Sequence, residues 1–413
     1  MRGKEFCLVC LILVGGCTAT MRRAAPPATI NDAKPDGFPA DVRLVTTDLG
    51  GWALRAPAFY SGIRDAAARG KVSILALSGG GSEGAFGAGV LVGLTRAHAR
   101  PRFELVTGVS AGALIAPFAF LGPRWDPELE AAFTTDHSYL INRSPAWHFM
   151  TRLVFPLGDK RRDPLFDMVD RYVTPAMVEA VAREAAKGRR LIVATTNLDT
   201  EETVLWDMGA IAERGGETAR ALFRDVLVAS ASVPGVFPPI LIHVRDDGRE
   251  YDELHVDGSV TTSAFTFPWV AGLRPQELPP LLGSDLLMIV NGQLASAPLT
   301  TPLSTVAVLA RSFTASSNYK TRDAILTATG LAGRLGMRFK LTDIPADFPD
   351  ASVVDFSPGF MRKLFDYGER CAKEGRLWVT PEQAIKPSTH VDPTTPGTEP
   401  ACPGAKPADA PAG

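Results

Sequence analysis

The sequence predicts an α/β layer fold with a mainly parallel sheet, on three observations. Short apolar runs alternate along the chain with helical stretches. Two of those stretches, Ala85 to Leu94 and Ala111 to Leu121, are apolar on every side, which places both helices in the interior. The chain has 413 residues, 46% of them hydrophobic and 21% charged, which is ordinary for a protein burying one large core.

The chain opens with basic Arg2 and Lys4, then an apolar run from Phe6 to Val14 that is too short to span a bilayer and reads as a signal-peptide core. The run ends in Val14-Gly15-Gly16-Cys17, which resembles the lipobox of bacterial lipoproteins, where small residues precede a cysteine that receives a lipid. The expectation is a signal peptide over residues 1–17, lipid attachment at Cys17, and an exported lipoprotein held at a membrane of the cell envelope. A plain secretory signal or an uncleaved apolar terminus is the alternative.

Residues 18–45 are expected to be a tether, since Thr18 to Pro39 is rich in Ala, Pro and Thr without a hydrophobic period. The domain proper is expected over residues 46–385. Its predicted strands are Val72 to Leu77, Phe103 to Val109, Leu191 to Thr196 and Asp285 to Val290, with helices over Ala85 to His98 and Ala111 to Leu121 and a hairpin over Ile240 to Asp257. Residues 386–413, again rich in Pro, Ala and Thr, are expected to be disordered. Three of the five cysteines lie in the first seventeen residues, so no disulfide framework is legible. The net charge of -2 gives no basic footprint for nucleic acid.

Between the first strand and its helix lies Ser78-Gly79-Gly80-Gly81-Ser82-Glu83-Gly84. Tandem glycines let backbone N–H groups converge on one anionic atom at a helix N-terminus. Gly79, Gly81 and Gly84 also satisfy a dinucleotide fingerprint, but that motif needs an acidic residue at the C-terminal end of the second strand, and Glu104 sits at its start. The required end carries Gly108-Val109-Ser110-Ala111-Gly112, a G-x-S-x-G pattern between strand and buried helix, which is the setting of a nucleophile elbow. A competing match, Gly80 to Gly84, offers Ser82 instead. A triple-glycine turn supplies donors better than it aims a hydroxyl, so Ser110 is the expected nucleophile.

A third segment runs Ala231-Ser232-Val233-Pro234-Gly235-Val236-Phe237-Pro238-Pro239, and the hairpin after it ends in Asp257-Gly258. In this order the motifs resemble those of the patatin-like phospholipase family. The resemblance implies a three-layer α/β/α fold, Ser110 as nucleophile, Asp257 as its base, and N–H groups of Gly79, Gly80 and Gly81 as the oxyanion hole. It further implies a lipid ester or phospholipid substrate and no metal or other cofactor. Ser78 and Glu83 depart from the family's usual Asp and Arg, and Glu83 is expected to reverse the loop's charge.

Three other readings stay open. One is a Ser-His-Asp hydrolase built from Ser110, Asp199 or Asp207, and His243 or His255. The second is a catalytically silent lipid-binding lipoprotein, and the third a nucleotide-binding protein that uses the glycine loop for pyrophosphate. His137 and His148 have no metal-ligand spacing.

Overall fold

The computed structural model describes residues 22–27, 33–46, 57–140, 163–266, 281–294, 300–348, 353–385 and 400–405. Within them the sheet runs in the order β1-β7-β8-β5-β4-β3-β9-β10, with β6 pairing β5 and β2 pairing β6. The central strands are β3 (Ser73–Leu77), β4 (Leu105–Val109), β5 (Arg190–Asn197), β9 (Asp285–Ile289) and β10 (Arg338–Thr342). They are parallel to their neighbours in this block. Antiparallel strands complete one side: β1 (Lys34–Pro35), β2 (Arg43–Val45), β6 (Glu202–Asp207), β7 (Ile240–Asp246) and β8 (Arg249–Asp257).

The inner parallel strands β3, β4, β5 and β9 are buried over nearly their whole length and mostly apolar because both faces are covered, whereas the outer β10 carries the exposed Arg338 and Lys340. Successive residues of β3 divide between two cores: Leu75 and Leu77 enter one, Ile74 and Ala76 the other. The same division holds for Leu191 and Val193 against Ile192 and Ala194, and for Leu287 and Ile289 against Leu286 and Met288. The first core is closed by α2 (Gly84–Arg96), α3 (Ala111–Leu121), α8 (Gly216–Ser230) and α10 (Pro358–Lys373). The second is closed by α1 (Pro57–Arg69) and α9 (Thr305–Leu335). This is the three-layer α/β/α arrangement.

The smaller helices α4 (Asp126–Thr134), α5 (Pro164–Tyr172), α6 (Pro175–Ala185) and α7 (Met208–Glu213) fill the ends of the first layer, and α11 (Pro381–Ile385) follows α10. Helix α2 is buried from Gly84 to Leu94, as its all-round apolar sequence requires. It can lie against α10 because Gly89 and Gly93 carry no side chain; a Cβ at Gly89 would fall 2.0 Å from Phe365 O. The β7–β8 hairpin closes through Asp247 and Gly248, both at positive φ (44° and 77°), the conformation that an Asp-Gly turn favours.

Two boundaries differ from the sequence expectation. Residues 33–45 are not a free tether: β1 extends the sheet beside β7, and β2 pairs β6. Arg43 enters a buried ion pair with Glu253 and donates to Ala33 O at 2.7 Å. Further upstream, Asp252 N donates to Arg23 O at 2.7 Å, and the Arg22 guanidinium pairs with Asp199. Ala33, Phe38 and Val42 are buried in the first core and Leu44 in the second, at irregular spacings that leave no hydrophobic period to read, and hydrogen bonds and charges complete the docking. Likewise residues 400–405 are docked, through a Cys371–Cys402 disulfide and a bond from Tyr367 Oη to Ala401 O at 2.8 Å. The expected signal peptide, Cys17, His148 and the stretches 386–399 and 406–413 lie outside the described residues.

Candidate active site

Strand β5 is the template on which the site is assembled. Strand β4 runs along it as far as the pair Val109–Ala194, and β8 takes up the pairing at Asp257–Thr195. β6 occupies the other edge from Ile192 to Asn197. Ser110, one residue past Val109, therefore meets Asp257, and its Oγ donates to Asp257 Oδ2 at 2.6 Å.

Ser110 turns the chain from β4 into α3 with φ 54° and ψ -126°, a conformation that costs a non-glycine residue about 1–3 kcal/mol. The strain is held by packing and by Ser230, whose hydroxyl accepts from Ser110 N at 3.0 Å and donates to Ala194 O at 2.7 Å. Gly112 allows the helix to start against β3, since a Cβ there would lie 2.5 Å from the carbonyls of Leu77 and Ser78.

Asp257 is fully buried. Burial pushes its carboxyl up from 3.8, against bonds from the Ser110 hydroxyl and from the N–H and hydroxyl of Ser259 and the nearby charge of Lys320, to about 6. The Ser259 N–H bond to Oδ1 is 2.7 Å. Lys320, from α9, donates to Ser259 O at 3.0 Å and to Val260 O, and burial lowers its own pKa. The proline-rich block 231–239 contributes Ser232 O, which accepts from Asp257 N at 3.0 Å.

The glycine loop lies over the pair. A Cβ on Gly79 would stand 2.5 Å from Ser259 Oγ and 3.1 Å from Ser110 Cβ, so only glycine fits there. Its N–H, expected as an oxyanion donor, instead bonds Ser263 O at 3.1 Å. A donor already held by a carbonyl cannot serve a second acceptor at full strength, so the available donors of the loop reduce to Gly80 and Gly81. Asn291 fixes the loop's first residue, donating from its backbone to Ser78 Oγ and from Nδ2 to Ser78 O, both at 2.8 Å.

Glu83 does not reverse the loop's charge at neutral pH. It is 5% exposed, and burial raises its carboxyl to about 8. Ser82 is wholly buried in the short turn of 81–83, and its N–H donates to Val353 O at 3.2 Å.

The histidines of the triad alternative have their partners elsewhere. His243 is 59% exposed at its side chain and pairs with Asp252 at 2.6 Å. His255 is buried in a chain of bonds: Trp206 Nε1 donates to Thr195 Oγ1 at 2.8 Å, Thr195 lies 2.9 Å from Nδ1, and Glu253 lies 3.1 Å from Nε2. Burial alone would raise Glu253, but the Arg43 charge and the bonds from His255 and Arg43 win, leaving it at about 2. Asp207 caps α7 through Ala210 N at 3.0 Å, and Asp199 accepts from Leu254 N at 3.0 Å, tying the β5–β6 turn to β8. Ser230, Ser259, Lys320 and Asn291 are the residues sequence reasoning missed; a lone Ser, Lys or Asn carries no motif, and only Ser230, one residue ahead of the 231–239 block, and Ser259, directly after Asp257-Gly258, had a signal near them.

A cavity with about 570 Å³ of non-atom space, part of it open to solvent, lies between the glycine loop and the length of α3 that follows Ser110, though neither Ser110 nor Asp257 lines it. Gly81 of the loop lines it, as do Leu114, Pro117 and Phe118, which stand four, seven and eight residues after Ser110 and hence along one face of α3. Met168 and Leu227 extend the wall.

Residues 75–267 match the family model of patatin-like phospholipases. Among solved structures the chain is similar to VipD from Legionella pneumophila, at 13% identity over 76% of this chain and 70% of that one, with a TM-score of 0.35. No curated protein matches the chain.

Proposed function

We propose that residues 75–267, which match the family model of patatin-like phospholipases, bring lipid acyl hydrolysis as their general chemistry, and that Ser110 and Asp257 carry that hydrolysis as a catalytic dyad. The observation that supports this most is the 2.6 Å bond between a strained serine and a fully buried carboxylate under a glycine loop. Ser110 Oγ attacks the acyl carbonyl while its proton passes to Asp257 Oδ2. The developing oxyanion takes the N–H groups of Gly80 and Gly81, and the acyl chain lies in the apolar cavity along α3. The adduct collapses with cleavage of the ester C–O bond, and Asp257 returns the proton to the leaving alkoxide; water, giving its proton to the freed Asp257, then attacks the acyl-enzyme, and the fatty acid leaves as Ser110 Oγ takes that proton back.

An ordinary aspartate is a poor base near neutral pH, and a rise to about 6 brings it closer to its task without keeping it protonated at pH 7. Both carboxylate oxygens are engaged, one by Ser110 and one by Ser259, so the acceptor geometry is fixed before substrate arrives.

The test is labelling of the full chain with a fluorophosphonate, followed by mass spectrometry of the labelled peptide. Label on Ser110 is expected, lost in Ser110→Ala and largely kept in Ser82→Ala. An unlabelled native protein that still binds lipid would favour the silent binding reading.

Export and anchoring are proposed on the sequence features alone: a signal peptide over residues 1–17 and a lipid on Cys17. Among the described residues, no helix is long and apolar enough to cross a membrane.

A further inference from the structure

Helix α9 grips the segment after Asp257 at two points. Lys320 Nζ donates to Ser259 O at 3.0 Å and to Val260 O. Ser317, three residues earlier and so on the same face of the helix, holds its hydroxyl 3.0 Å from Ser263 Oγ. Each grip leads to a different part of the site. The Ser259 N–H, in the turn that Lys320 holds, donates to Asp257 Oδ1 at 2.7 Å. The residue that Ser317 holds gives its carbonyl to Gly79 N at 3.1 Å and so anchors the glycine loop.

The turn is fixed from its other side by sterics. A Cβ on Gly258 would fall 2.5 Å from Ala194 O and 2.9 Å from Val109 Cγ1, so the chain leaving Asp257 is wedged against β5 and β4. The turn Gly258–Val260 is only three residues long, and its last carbonyls need a donor from outside. An ammonium, which carries three protons and only donates, serves both. It is a costly choice, because burial lowers the pKa of Lys320 and the charge that opposes the loss is that of Asp257. A neutral amide could bond a carbonyl without that cost, so the charge itself has a use.

The other titratable groups on the elements around Asp257 are engaged elsewhere, uncharged or exposed. β4 between Leu105 and Val109 and α3 carry none. On β8, Glu253 lies between Arg43 and His255, and Asp252 pairs with His243. On α8, Arg220 and Arg224 pair with Asp170, Glu217 and Asp225. Glu83 in the glycine loop is protonated at pH 7. On α9 itself Arg322 turns to Leu294 O, at 3.1 Å, and Asp323 is exposed. Lys320 is the cation whose charge bears on Asp257.

We propose that Lys320 is a positioning residue for the dyad: it ties the turn after Asp257 to α9, and through that turn holds the carboxylate ionised and aimed at Ser110. The inference rests on reading Asp257 as the base of Ser110. Removing the cation raises the affinity of Asp257 for its proton, so the pH at which the base is lost must move upward.

The experiment measures kcat/KM on a p-nitrophenyl ester between about pH 4 and 9 for the native full chain and for Lys320→Gln, Lys320→Met and Lys320→Arg, each first shown to be folded by circular dichroism. Gln keeps a donor for the turn without the charge, and Met keeps neither. In both, the midpoint of the acid limb should rise by at least about half a pH unit. Met should in addition lower kcat by about tenfold, as the turn loses its tie. Arg, which keeps charge and donors, should retain the native midpoint. If Lys320→Met does not fold, Lys320→Gln alone decides the shift. A native midpoint in a folded neutral variant, or an Arg midpoint displaced as far as that of Gln, overturns the inference while leaving the dyad standing. An Asp257→Asn variant that turns over normally refutes the dyad, and the inference falls with it.

Discussion

Replacing Asp257 by Asn should destroy activity and, above pH 6, make the protein more stable. A carboxyl raised from 3.8 to about 6 is one whose charged form the fold disfavours. At about 1.4 kcal/mol for each pKa unit, the native protein gives up about 3 kcal/mol wherever Asp257 is ionised both folded and unfolded. The sign follows from linkage. Below about pH 4 the carboxyl is protonated in both states and nothing is lost; between about pH 4 and 6 the unfolded state releases the proton first; above about pH 6 the full penalty applies. Asn carries no charge and keeps an oxygen for Ser259 N and a polar group for Ser110. Asp257→Asn should thus match the native protein at pH 4 and exceed it by up to about 3 kcal/mol at pH 8, while kcat/KM falls by at least about a hundredfold. Urea denaturation of both proteins at pH 4, 6 and 8, beside turnover of a p-nitrophenyl ester, measures both sides. A variant less stable than the native protein at pH 8, or a stability difference that ignores pH, would refute the reasoning.

The acid limb of kcat/KM in the native enzyme should fall with a midpoint near pH 6, since the base must be ionised; a limb near pH 4 would mean that burial does not perturb Asp257 as argued. His243→Gln and His255→Gln should retain the mechanism, His255→Gln with some loss of stability from its buried chain of bonds; a folded histidine variant without activity, alongside an active Asp257→Asn, would favour the triad. Arg43→Ala should lower stability by about 3–5 kcal/mol, because Glu253 would be left charged, buried and without its cation; an unchanged melting temperature would speak against β2 as part of the domain. Cys17→Ala should leave a folded, active protein that no longer sediments with membranes, and persistent association after a salt wash would count against the lipid anchor.

Much of the layer architecture was legible because burial on two faces writes itself into sequence. The strand runs at Val72, Leu191 and Asp285 and the all-apolar stretches at Ala85 and Ala111 fell within one or two residues of the observed elements. The Asp-Gly turn between β7 and β8 was equally local. The N-terminal segment misled for the opposite reason: β1 and β2 are two and three residues long, the buried Phe38, Val42 and Leu44 fall at irregular spacings, and Arg43 and Arg22 are held by charge and hydrogen bonds, none of which has a period. Cys402 likewise docks the far tail through one covalent link within a stretch whose composition reads as unfolded.

By itself the sequence determined that a serine sits between an apolar strand and a buried helix, that tandem glycines precede it, and that an Asp-Gly ends a hairpin. Those are properties of short segments, and short segments can declare them. Tertiary structure decided what meets what. Ser110 and Asp257 are 147 residues apart in the chain and 2.6 Å apart in space because β4 and the antiparallel β8 both end at neighbouring positions on one edge of β5. The same packing committed the Gly79 N–H to Ser263 and turned Glu83 neutral by burying it. Register between distant strands and the exclusion of water from a carboxyl are properties of the assembled core, and no local pattern of residues encodes either one.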